Sequence, residues 1–128
     1  MSAEEELLAL SRKLLTSIDA GDWAGYTALC DESITCFEPE APGQLVRGLP
    51  FHKFYFDLPS KPTTPAKQST IVSPAVRFAG NAAVVTYVRV QQKLNDQGAP
   101  VATATMETRI WEKKDSGWKH IHFHRSAG

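Results

Sequence analysis

The chain has 128 residues, of which 42% are hydrophobic and 22% charged, with a formal net charge of zero. That length and balance predict one domain over residues 1–128 with its own core, and they exclude a disordered, collagen-like or coiled-coil chain. A general nucleic-acid binder would carry a basic excess, and a membrane helix would need roughly 20 consecutive apolar residues, which this sequence lacks.

The opening, Met1-Ser2-Ala3 followed by Glu4, Glu5 and Glu6, lacks the basic start and unbroken apolar run of a signal peptide, so a cytoplasmic location is expected. Leu7, Leu10, Leu14, Leu15 and Ile18 recur at helical spacing and predict an amphipathic helix over residues 3–20. Gly21 ends it by tolerating the left-handed conformation, and Asp22 caps a second helix over 23–30 with Trp23, Tyr26 and Leu29 on one face. A short strand follows over 33–37. Two prolines and a glycine make residues 38–43 a loop. Pro50 suits the first turn of a helix over 50–56, and three prolines make 57–66 an exposed loop.

Beyond this point the hydrophobic period becomes two. Strands are predicted at about 67–79, 82–93, 100–113 and 117–125, joined by turns at Gly80-Asn81, Asn95–Gly98 and Asp115–Gly117. Pro74 marks a bulge or break. Hairpins imply an antiparallel sheet, and helices first with strands last give an α+β fold. A strongly curved sheet wrapped around the N-terminal helix makes a cone with an interior cavity.

Alternation along strands groups the side chains that carry chemistry. Val85, Tyr87, Arg89 and Gln91 share one face, as do Thr105, Glu107, Arg109 and Trp111. On the last strand, parity places His120, His122 and His124 on one side with Trp118, and Lys119, Ile121, Phe123 and Arg125 on the other. Arg89, Arg109 and Arg125 form a cationic pocket if all three point inward. Arginine grips carboxylates bidentately, so a small carboxylic acid is the natural ligand class. The alternative is an internal ion-pair network with Glu107, Glu38 or Glu40, since a buried guanidinium must be paired. The first 40 residues carry nine acidic and two basic residues and the rest five acidic and twelve basic, so pairing within the fold or between subunits has material to draw on.

His52, inside an aromatic helix, is either a hydrogen-bonded structural residue or part of the cavity lining. Tyr26 and Tyr55 are core aromatics with one wet end or hydrogen-bond donors in the cavity. Three alternate histidines spanning roughly 13 Å cannot all reach one ion, and Cys30 and Cys36 are too far apart in sequence for a redox pair, so they read as buried, reduced thiols. No metal and no cofactor are expected. No phosphate loop, nucleophile elbow or zinc-protease helix is present.

The segments Gly21-Asp22-Trp23, Tyr26-Thr27, Cys30-Asp31, Phe37-Glu38-Pro39-Glu40-Ala41 and Gly48-Leu49 are followed by Phe51-His52-Lys53-Phe54-Tyr55-Phe56. Later come Tyr87-Val88-Arg89-Val90-Gln91, Glu107-Thr108-Arg109-Ile110-Trp111 and His122-Phe123-His124-Arg125-Ser126. In this order the sequence resembles the association (hub) domain of calcium/calmodulin-dependent protein kinase II, within the nuclear-transport-factor-2-like or SnoaL-like cone-fold superfamily. The resemblance implies a homo-oligomerisation module, a dimer or larger closed ring. It also implies an arginine-lined pocket for small carboxylates, matching His52, Arg89, Arg109 and Arg125, with Glu107, Tyr55 and Tyr26 beside them. The kinase domain and the calmodulin-binding segment are absent from these 128 residues, so a stand-alone domain without kinase activity or direct calmodulin binding is expected. Two departures stand out. The family's tryptophan after the aromatic helix is missing from Asp57-Leu58-Pro59-Ser60-Lys61-Pro62, and Arg47 stands where the family has an acidic residue.

The alternative function is a small cone-fold isomerase, cyclase or dehydratase acting on a carbonyl or carboxylate substrate. His52 or Glu107 would be its base, Tyr26 or Tyr55 its donor, and the arginines would hold the substrate. A base beside three cations is held in its less basic form, which weighs against it.

Overall fold

A computed structural model describes residues 1–58 and 67–127. Helix α1 (Ala3–Ala20) begins where the Ser2 hydroxyl accepts the Glu5 N–H at 3.1 Å, and it ends at Gly21, whose φ of 67° is the left-handed conformation that glycine tolerates. Its leucine stripe, Leu7, Leu14 and Leu15, is fully buried. Asp22 caps α2 (Trp23–Leu29) by accepting the Gly25 N–H at 3.0 Å. Strand β1 (Cys30–Phe37) starts three residues earlier than its hydrophobic pattern suggests, because Cys30 already leaves the helix and pairs with His120. The predicted loop over 38–43 is irregular, and a two-residue strand β2 (Val46–Arg47), unmarked by any sequence signal, follows it. Helix α3 (Pro50–Phe56) starts at the predicted proline.

Strands β3 (Lys67–Ala79), β4 (Ala82–Leu94), β5 (Pro100–Lys114) and β6 (Gly117–Ala127) form the predicted run of hairpins. The sheet order is β2-β1-β6-β5-β4-β3. Contrary to the fully antiparallel expectation, the sheet is mixed, because β1 pairs with β6 in parallel. The chain reaches β6 only after α3 and three long strands, and a parallel neighbour needs such a crossover. The register of β3 against β4 shifts between Val72 and Ala75, where Ser73 has a φ of 51°, so Pro74 does mark a bulge.

A second bulge was not foreseen. Trp111 faces His120 and Ile110 faces His122, so Ile121 has no partner on β5. One extra residue reverses the alternation. His120, Phe123 and Arg125 therefore share the inner face, while His122 and His124 lie on the outer one, which corrects the simple parity of the last strand. Helix α1 packs across the inner face against β3 and β4, so helices and curved sheet make the expected α+β cone. Both cysteines are buried and unpaired. Of the loop predicted over 57–66, residues 59–66 lie outside the described residues, and with them most of the stretch Asp57–Pro62. No described helix is long and apolar enough to cross a membrane.

Candidate functional site

A cavity of about 440 Å³ opens between the end of α1, helix α3 and the inner face of the sheet. The strands deliver Arg89, Arg109 and Arg125 to it, the helices Tyr26, His52 and Tyr55. Six of the seven predicted site residues thus meet at one space. The seventh, Glu107, lies behind the wall in contact with Arg109.

The arginines are not free cations. Arg109, 1% exposed, donates to Glu107 Oε1 through Nη2 at 2.8 Å and to the Tyr87 hydroxyl through Nε at 2.8 Å. Its guanidinium also lies over the Phe123 ring, 4.6 Å from the centroid. Arg89 donates to Asp19 Oδ1 at 2.8 Å, to the Ser69 hydroxyl at 2.8 Å and to Glu107 Oε2 at 3.4 Å. Arg125 pairs with both oxygens of Glu40 and lies 3.5 Å from Glu38 Oε2. Three guanidinia thus meet four carboxylates, Asp19, Glu38, Glu40 and Glu107. The simple cationic pocket is replaced by a paired network, because a guanidinium stripped of water is stable only beside an acceptor.

Burial alone would raise the Glu107 carboxyl. The Arg109 and Arg89 guanidinia and the Tyr87 hydroxyl overcome it and hold the group down at about 2. A carboxyl in that state, with both oxygens engaged, is a poor general base, which removes Glu107 from the catalytic role weighed above. Burial first, then Cys30, raises the Tyr26 hydroxyl well above its ordinary range. Burial opposes the fall of the Glu38 carboxyl, but His52 and Arg125 lower it nonetheless.

His52 is buried on α3 against the rings of Tyr26 and Phe123. Its Nε2 lies 3.0 Å from Glu38 Oε1 and 3.5 Å from Cys36 Sγ. The histidines of β6 do not form a group. His120 is fully buried, with Nδ1 3.6 Å from Cys30 Sγ and Nε2 3.5 Å from Arg109 Nη1. His122 contacts Thr35 Oγ1 at 2.7 Å on the outer face. Burial, and then the Arg109 charge, push His120 well below the ordinary histidine value.

Sequence reasoning missed Asp19. The available signal was its place one turn after Leu15, which puts an acid on the apolar stripe of α1. It also missed Cys36 as a neighbour of His52, although Ile34, Cys36 and Glu38 alternate onto one side.

The sequence pattern of the calcium/calmodulin dependent protein kinase II association domain matches residues 3–128. The chain is 43% identical, over 124 residues, to the calcium/calmodulin-dependent protein kinase type II alpha chain of Drosophila melanogaster, covering 96% of this chain and 23% of that protein. It thus spans about a quarter of the length of the curated relatives it matches. Among solved structures, the hub homology domain of Chlamydomonas reinhardtii aligns with a TM-score of 0.94 and 53% identity over 99% of both chains. A nuclear transport factor 2-like protein from Salmonella enterica aligns at 0.78 with 22% identity, over 96% of this chain and 89% of that one, a likeness of fold alone.

Proposed function

We propose that this chain, which belongs to the calcium/calmodulin-dependent protein kinase II association domain family, is an oligomerisation domain whose cavity binds a small carboxylate among the arginines. The observation that carries this reading is the pairing of Arg125 with Glu40 at the cavity. Arg125 is partly exposed, and Glu40, 35% exposed on the loop after β1, is the least buried of the four carboxylates facing the arginines. A ligand carboxylate takes Glu40's place on Arg125, exchanging one carboxylate partner for another without stranding a buried charge. Tyr55, half-exposed on α3, supplies a hydroxyl at the same cavity, and Phe123 an apolar wall.

Self-association has a candidate surface as well. Phe37, Val72 and Met106 are 42%, 40% and 53% exposed on the outer face of the sheet. They flank an open groove that includes Val88, Thr108 and His124. A sheet face with this apolar content suits an isologous contact between copies.

The experiment for the ligand is a thermal-shift screen of short carboxylic acids. A compound that binds only the folded state raises the melting temperature by mass action. Stabilisation of the wild type and not of Arg125→Gln is the expected result. Equal shifts in both proteins would remove the arginine assignment.

A further inference from the structure

His52 faces two other donor atoms on one side of its ring. Its Nε2 is 3.5 Å from Cys36 Sγ and 3.0 Å from Glu38 Oε1, and one atom from each of the three side chains lies within 4.8 Å of the others. All three are about nine-tenths buried or more. Glu38 Oε1 faces His52 Nε2, and Arg125 lies against the other oxygen, Oε2, at 3.5 Å. A buried carboxylate is stable only where its charge is compensated, and here cationic or protonated neighbours do so from both sides.

A nucleophilic Cys–His–Glu relay has a different shape. There the nucleophile and the carboxylate sit on opposite ring nitrogens, so that one orients the base and the other gives it a proton. Here both approach Nε2, and Nδ1 has no partner among the described residues. Three donors instead surround one point in front of Nε2. Bond lengths of about 2.3 Å to sulfur and 2.0 Å to nitrogen put those two donors about 3.5 Å apart in a tetrahedral site, which is the separation found.

We propose that Cys36, Glu38 and His52 form a three-ligand site for a divalent ion of the zinc class, with a fourth position open to the cavity. A thiolate, an imidazole and a carboxylate together favour zinc over magnesium or calcium, which prefer oxygen alone. On binding, the Cys36 S–H bond breaks, its proton leaves to solvent and the sulfur bonds the metal. Within the arginine–carboxylate network, Lys67 at the cavity rim aside, the charges then balance. The three arginines and the dication supply five positive charges, and Asp19, Glu38, Glu40, Glu107 and the Cys36 thiolate supply five negative ones. This site lies outside the trio of β6 histidines that the sequence brought forward.

The test is titration of the apo-protein with cobalt(II), followed by absorption spectroscopy and equilibrium dialysis. One ion per chain is expected, with a thiolate-to-cobalt charge-transfer band that zinc(II) abolishes by competition. Cys36→Ser should lose the band, whereas Cys30→Ser, which changes the other buried thiol, should keep it. His52→Gln or Glu38→Gln should weaken binding by at least about tenfold with the circular dichroism spectrum unchanged, which covers the case in which Cys36→Ser does not fold. No band in the wild type, or a band that survives in Cys36→Ser, overturns the proposal. Arg125→Gln should retain the band, so failure of the metal site and failure of the carboxylate reading can be told apart.

Discussion

Asp19 at the end of α1 and Arg89 in β4 are 70 positions apart in sequence, yet Asp19 Oδ1 accepts from Arg89 Nη2 at 2.8 Å with both side chains more than nine-tenths buried. Gln91 Nε2 donates to the same oxygen at 3.0 Å. This one carboxylate therefore ties the helix to the inner face of the sheet and fixes the guanidinium that lines the cavity.

Removing it should be expensive. Asp19→Ala leaves Arg89 with only Glu107 and Ser69, and breaking one side of a buried pair costs about 3 kcal/mol. Urea denaturation should show a loss of that order with an unchanged m-value. A loss below about 0.5 kcal/mol would mean that the pair is dispensable.

The fold should also weaken in acid, in two stages. His120 titrates below its ordinary value of 6.5 when folded, so the unfolded chain takes up a proton that the folded one refuses. Its contribution is present above pH 6.5 and is lost as the pH falls below it. Glu107 has an ordinary value of 4.5 and a folded value of about 2. Its contribution is present above about pH 4.5 and disappears between there and about pH 2. The melting temperature should therefore start to fall below about pH 6.5 and drop more steeply below 4.5. His120→Gln should reduce the first stage and leave the second unchanged, the remainder of the first stage coming from His122, which burial and then His124 also hold below its ordinary value. A melting temperature constant from pH 7 to pH 5 would contradict the assignment of His120.

How much of this was legible depended on how local the cause was. Helix 3–20 was plain because its leucine stripe and its Gly21 stop lie within the segment itself. The three hairpins were plain because each turn carries its own residues, and the bulge at Pro74 because proline cannot donate to the ladder. The parallel pairing of β1 with β6 was hidden, since it joins Thr35 to His122, 87 positions away. The bulge at Ile121 was hidden for a related reason. No residue type there announces it, and alternation carried past it placed His120 on the wrong side of Arg125. At the site, Glu107 could be matched to Arg109 because two positions along a strand share a face. Asp19 could not be matched to Arg89, because only the packing of α1 across the sheet brings them together.

Assembly yields a third test. Met106 is 53% exposed on the outer sheet face. Met106→Glu would place like charges near each other across an isologous contact. Light scattering coupled to size-exclusion chromatography should show a dimer or larger for the wild type and a shift to smaller species for the variant, with melting behaviour of the isolated chain preserved. An unchanged mass would move the contact off this face. A wild-type monomer at high micromolar concentration would contradict self-association altogether.

The most direct test of the carboxylate reading uses Glu40 as well as Arg125. Calorimetric titrations of acetate, succinate and benzoate into the wild type, Glu40→Gln and Arg125→Gln compare the seat with its internal occupant present, neutralised and destroyed. At least one acid should bind the wild type, several-fold more tightly in Glu40→Gln, where the competing charge is gone. It should bind about tenfold or more weakly in Arg125→Gln, equivalent to about 1.4 kcal/mol. No binding by any of the acids in either the wild type or Glu40→Gln, or unchanged affinity in a folded Arg125→Gln, would contradict it and leave the arginines as an internal network alone.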